Sequence, residues 1–115
     1  MLSNVFRFHG HGSLRYVYKN GQAVRSHFVT VKHTSNPHRE RSRFAVVVSK
    51  KVLKSAAGRN RVRRRIYETI RNELPHFRGV NDVVVIVFSA ELATMPAEEL
   101  VSTLRQLFDQ AGLYK

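Results

Sequence analysis

Between Ser55 and Glu68 the chain reads SAAGRNRVRRRIYE, and this stretch limits what the rest of the molecule can be. Arg59, Arg61, Arg63, Arg64 and Arg65 put five guanidinium groups into about two helical turns, interrupted only by Asn60 and Val62. Like charges at i,i+4 are unfavourable, and no acid lies nearby before Glu68. A polyanion partner is the simplest remedy. The bland alternative is a solvated charged face, but such faces usually mix signs.

The phase of the apolar residues decides where those charges point. Val62, Ile66, Ile70 and Leu74 recur every fourth residue, so at about 100° per residue they form one drifting stripe flanked by Tyr67. That stripe is the expected core face. Arg61, Arg65, Glu68 and Asn72 fall on the opposite side, and Asn60, Arg64 and Arg71 line a flank. Arg59 and Arg63 lie on the core side, which predicts that the first turn overhangs the packed layer. Exposed N–H groups at a helix start favour anions, and arginine forks grip phosphate oxygens in pairs.

The charge map agrees. Residues 1–65 hold 16 Lys or Arg against the single acid Glu40, a balance of +15, whereas residues 66–115 hold 4 against 7, a balance of −3. A strongly basic domain can address nucleic acid, anionic membrane or acidic protein. The longest apolar run, Val83 to Phe88, is far short of the roughly 20 residues that span a bilayer, and no signal-peptide pattern opens the chain. A soluble cytoplasmic protein without a membrane partner is expected. With no cysteine there are no disulfides, thiolate metal sites or thiol nucleophiles.

One domain, residues 1–115, fits this length. Met1 to Gly12, with its His-Gly-His-Gly stretch, is expected to lie against the domain as extended chain. Ser13 as N-cap and Gly21 as C′ bracket a short helix with Leu14, Val17 and Tyr18 on one side, Tyr16 facing elsewhere and Arg15 and Lys19 in solvent. A weak strand around Ala23 to Phe28 and strands at Phe28–Lys32 and Phe44–Ser49 follow, the last two joined by a polar, basic hairpin loop over His33–Arg43. Lys50 to Gly58 is a basic loop feeding the arginine helix, which Pro75 ends. Asn81–Ser89 reads as a strand buried on both faces, so that strand, helix and buried strand suggest a crossover between parallel neighbours. A last helix runs from Pro96 to Gly112, with Thr94 as candidate cap and Leu100, Leu104, Leu107, Phe108 and Ala111 inward. The expected order is α-β-β-β-α-β-α.

Catalytic machinery is hard to assemble from these residues. His9 and His11 sit between glycines without a carboxylate or thiolate nearby, and no HExxH, GxSxG or P-loop pattern occurs, so no metal site and no catalytic residue is assigned. Binding is the reading. Aromatic residues interleave the basic ones, and bases stacked on such rings gain roughly 1–3 kcal/mol each. Phe28 and Phe44 are more in keeping with core; Tyr18 and Tyr67 admit both core and RNA contact. The arginine run resembles a backbone clamp rather than a base-reading helix, so RNA is expected and double-stranded DNA is not.

FAVVVSKKV followed by GRNRVRRRIYE, the early Tyr-Val-Tyr-Lys-Asn-Gly and the Leu-Tyr-Lys ending together resemble the bacterial ribonuclease P protein family over nearly the whole chain. That family is the small basic subunit of the ribonucleoprotein that removes 5′ leaders from precursor tRNA. The resemblance implies an α+β fold, an α/β sandwich like the second domain of a small-subunit ribosomal protein, with a left-handed β-α-β crossover that no periodicity could reveal. It implies ribonuclease P RNA and precursor tRNA as partners, with Mg²⁺ held mainly by the RNA. It places contact with the catalytic RNA on Lys50, Lys51, Lys54, Arg59, Asn60, Arg61, Arg63 and Arg64. It also implies a cleft, between the arginine helix and one sheet face, that holds the single-stranded leader, with Leu14, Tyr18 and Val31 as contacts. Four positions depart from the pattern. Leu14 stands where an aromatic is usual, Phe88 and Ser89 stand where a basic residue is frequent, and Tyr67 replaces a common basic residue and could supply stacking to the leader. A ribosomal-type RNA-binding protein and a protein-only nuclease are the rival readings.

Overall fold

The computed structural model describes residues 6–7 and 11–115. Three helices and four strands follow one another as α1 (His11–Asn20), β1 (Gln22–Arg25), β2 (Val29–Ser35), β3 (Arg43–Val48), α2 (Ala56–Glu73), β4 (Asn81–Val87) and α3 (Ala97–Gln110). This is the expected α-β-β-β-α-β-α order in a mixed α+β sandwich. The sheet runs β1-β2-β4-β3, antiparallel except for β3 beside β4. β3, α2 and β4 therefore form the anticipated crossover between parallel neighbours.

β4 takes the centre because its apolar run can be buried on both faces, Val83, Val84 and Val85 all being enclosed. That insertion separates β2 from β3, so the 33–43 segment is not a hairpin loop. β2 also continues to Ser35, pairing Ser35 with Asn81. On one face Val29, Val31, Phe44, Val46, Val48, Val83, Val85 and Val87 pack against Val62, Ile66 and Ile70 of α2 and Leu100, Leu104, Leu107 and Phe108 of α3. The other face carries α1, whose Val17 is fully buried.

Element ends show where side chains override simple punctuation. Ser55 caps α2, its hydroxyl accepting from Gly58 N–H at 3.2 Å. Pro75 sits in a single 3-10 turn, Leu74–His76, directly after α2. Ser13 is no cap, because α1 begins at His11. Pro96, not Thr94, is the cap position of α3, and Thr94 instead closes a 3-10 turn at Ala90–Ala93 that Ser89 starts by accepting from Glu91 N–H. Gly112, at φ +72°, ends α3 with Gly112 N–H bonded to the Asp109 carbonyl and Leu113 N–H to that of Phe108, the paired bonds of a Schellman motif. At Gly21 the requirement is space: a Cβ would lie 2.5 Å from the Val17 carbonyl oxygen.

Arg7 and the last residues are tied down. Arg7 bridges Phe44 on the free edge of β3, but the extended opening expected as far as Gly12 is cut short, because α1 already begins at His11; 1–5 and 8–10, with His9, lie outside the described residues. Tyr114 stacks on Phe77 and donates its hydroxyl to Glu73 at 2.7 Å, which gives the Leu-Tyr-Lys ending its place. Burial and that carboxylate push the Tyr114 phenol well above its ordinary range.

Candidate nucleic-acid interface

The loop before α2 turns tightly, with Val52 and Leu53 N–H both bonded to the Ser49 carbonyl at 3.1 Å and their side chains packed on the core. This leaves Lys50, Lys51 and Lys54 exposed around the start of α2. The first fully enclosed residue of the helix is Val62, so its first turn does overhang.

The five arginines do not act alike. Arg59 folds back and donates to the carbonyls of Leu53 and Lys54 at 2.9 and 2.8 Å, stitching loop to helix. Arg63 donates to the Asn60 side chain. Arg61 and Arg65 lie opposite the core stripe as expected, yet Arg61 Nε meets the Ala93 carbonyl at 2.8 Å and Arg65 meets those of Leu92, at 2.6 Å, and Met95. These carbonyls crowd the C-terminal end of a 3-10 turn, where partial negative charge collects, so the protein itself relieves part of the repulsion. Arg64 is exposed and has no hydrogen bond or ion pair among the described residues. Arg61, Arg64, Arg65 and Glu68 line a shallow pocket. Glu68 does not neutralise them, since it is held by Arg71 at 3.0 Å, and that bond lowers its carboxyl below the usual carboxylate range.

The α1 face of the sheet offers a second surface. Register and strand alternation place Arg25, Thr30, Ile86 and Val47 in one row and Ala23, Lys32, Val84 and Ala45 in the next. Val17 and Val84 are closed off, whereas Val47 and Ile86 are only half-buried, Arg25 is exposed and Phe88, just past β4, is 58% exposed. The sheet beside α1 is thus only partly covered, leaving an open strip. Tyr18 borders it: Lys32 Nζ donates to the Tyr18 carbonyl at 3.0 Å and lies 5.3 Å from its ring centre, and burial raises the phenol's pKa. Leu14 is half-buried on the same side of α1.

Three expectations about this surface are corrected. The helix beside it is α1, because α2 is spent covering the packed face. Val31 is fully buried on that packed face, closed to any ligand; the neighbouring Thr30 and Lys32 turn toward α1. Tyr67 is also core, its hydroxyl accepting from Val46 N–H at 3.2 Å and its ring covered by the Arg7 guanidinium 4.3 Å away, so it offers no platform. That N–H lies on the edge strand β3, which β4 pairs from one side only, so the phenol satisfies an otherwise orphaned donor.

A buried ion pair escaped sequence reasoning. Arg43 grips Asp82 through Nε and a terminal nitrogen at 3.0 and 2.9 Å, and Asn36 adds a third bond at 2.9 Å. The two residues lie 39 positions apart and meet only through the β3–β4 register.

Comparison with known proteins completes the picture. The family model described as Ribonuclease P matches residues 2–112. A ribonuclease P protein component from Synechocystis sp. is 34% identical over 97 residues, covering 84% of this chain and 77% of the relative. Among solved structures, the ribonuclease P protein of Staphylococcus aureus superposes with a TM-score of 0.85 at 23% identity, covering 96% of this chain and 98% of the other. That of Thermotoga maritima gives 0.80 at 22%, covering 90% and 96%.

Proposed function

This chain belongs to the ribonuclease P protein family, and we propose that it is the RNA-gripping, leader-holding subunit of that enzyme, with the hydrolytic centre in the RNA. A ribonuclease P protein component is a subunit of a tRNA-processing enzyme, and as part of a ribonucleoprotein it has an RNA partner. The finer assignment is carried by one observation: the uncompensated cations Lys50, Lys51, Lys54 and Arg64 gather around the overhanging start of α2. They face the catalytic RNA, with Arg61 and Asn60 beside them and Arg59 and Arg63 holding the turn in shape. The open strip beside α1 takes the single-stranded 5′ leader of precursor tRNA, with Tyr18, Leu14, Lys32 and Phe88 along it. Phe88 brings an apolar ring where a cation would bring charge.

Catalysis by RNA is supported by the way the carboxylates are used. Glu68, Glu73 and Asp82 are each bound to an arginine. Mg²⁺ takes oxygen ligands, and the basic face offers ammonium and guanidinium groups, so these residues do not fit the ion; RNA phosphates would hold it, and the protein would shield phosphate charge and lower the metal requirement. Activity in the cytoplasm follows from this substrate.

The test is cleavage of a precursor tRNA at low Mg²⁺ by ribonuclease P RNA with and without the protein, beside a protein-only control. Cleavage restored only by the two together supports the assignment. RNA binding without restored cleavage would leave a ribosomal-type role, and cleavage by protein alone would place the chemistry in this chain.

A further inference from the structure

At the opposite end of the α1 face from Phe88, Tyr16 and the loop 36–41 enclose a separate polar pocket that neither the arginine helix nor the leader strip uses. Arg43 and Asp82 also line it. Because the Asp82 carboxylate already accepts three hydrogen bonds, from Arg43 twice and from Asn36, its charge is consumed within the wall. The open charges are those of Arg39 and Arg41, both exposed and both without a side-chain hydrogen bond or ion pair among the described residues, against the single acid Glu40. Beside them the Tyr16 ring is 58% exposed, whereas Tyr67 and Tyr114 are held by hydrogen bonds and Tyr18 is half-buried.

A flat exposed ring next to two unpaired guanidinium groups fits a ligand that has a planar apolar face and a nearby anion. We propose that this pocket binds one unpaired ribonucleotide, its base stacked on Tyr16 and its phosphate held by Arg39 and Arg41. A metal ion is disfavoured by the positive lining. An acidic peptide would use the arginines but would leave the ring without a purpose. The inference rests on the preceding reading only for the identity of the RNA that supplies the nucleotide.

The test is titration of the full-length ¹⁵N-labelled protein with an unstructured six-nucleotide RNA, following the amides of Tyr16 and of 36–41. These should shift and saturate. Tyr16→Ala should weaken binding at these resonances by about fivefold or more, the lower end of the stacking range, while Tyr16→Phe should bind like the parent. Arg39→Ala with Arg41→Ala should lower the slope of log affinity against log salt by about 1.4. All three side chains are exposed, so the variants should keep the parent's melting temperature. Silent loop amides, or parent-like binding by Tyr16→Ala or by the double arginine variant, would overturn the proposal, as would displacement of the RNA from these resonances by a Glu-rich peptide whose own binding ignores Tyr16→Ala.

Affinity of Tyr16→Ala for ribonuclease P RNA and, in the assembled enzyme, for precursor tRNA tells which source fills the pocket; loss on neither overturns it. Cleavage assays on the same preparations separate the two readings. A responding loop without stimulation of cleavage sinks the proposed function alone, and stimulation with a silent loop sinks this inference alone.

Discussion

Arg61 and Arg64 lie less than one turn apart on α2, yet the structure gives them different work. Arg64 is exposed and makes no hydrogen bond or ion pair among the described residues, so Arg64→Ala should leave the thermal midpoint unchanged and lower the log–log salt slope of RNA binding by just under one unit, about 0.9 for a duplex phosphate contact. Arg61→Ala should lower the slope and the midpoint together, because it also removes the bond to Ala93. Salt-titrated binding beside thermal melts of both variants checks this; equal midpoints would mean the Ala93 contact carries no stability. His33 supplies a pH dependence. It is buried on the packed face of β2, and desolvation lowers its pKa from 6.5. Below 6.5 the unfolded chain takes up a proton that the folded chain resists, so the stability His33 contributes is full above 6.5 and is lost as pH falls through the depressed folded value. Denaturant unfolding at pH 7.5 and 5.5 should show a drop that is smaller in His33→Gln; an equal drop in both would exonerate the imidazole.

At the scale of elements, α2 and its preceding loop act as one unit. Ser55 caps the helix, Arg59 ties it to Leu53 and Lys54, and the lysines project from the tie. Ser55→Ala should cost about 1 kcal/mol in chemical denaturation, a typical loss for an N-cap. No measurable change would mean that water replaces the hydroxyl. Much of this helix was legible beforehand: the Val62-Ile66-Ile70 stripe and the overhanging first turn follow from 3.6-residue periodicity and charge, whereas the basic loop expected to run to Gly58 ends at Ser55, whose hydroxyl cap starts the helix at Ala56. The destinations of Arg61 and Arg65 were not, because the carbonyls they meet belong to a turn 27 to 32 residues further on. Tyr67 shows the same limit. Its place beside the stripe was visible, but whether it served core or ligand depended on the edge position of β3, which local sequence does not encode.

For the molecule as a whole, one sheet has two unequal faces, one sealed by α2 and α3 and one only partly covered by α1. The open strip and the cationic start of α2 are therefore distinct surfaces, and damage to one should spare the other. Tyr18→Ala should weaken binding of precursor tRNA while leaving mature tRNA unaffected, and should not change affinity for the catalytic RNA. Equal losses for precursor and mature tRNA would remove Tyr18 from the leader path.

Local pattern was sufficient for the element order, the central burial of β4, the basic front two thirds and the family resemblance that the comparisons confirmed. These are properties of periodicity, composition and motif, which act over a few residues at a time. Strand order and register were beyond it. Inserting β4 between β2 and β3 is what put Val31 in the core, made α1 rather than α2 the helix beside the open strip, joined Arg43 to Asp82 and set Tyr16 beside the 36–41 loop. Each of those outcomes depends on contacts between residues far apart in the chain, where the balance of burial over the whole sheet, and not any local preference, selects the partner.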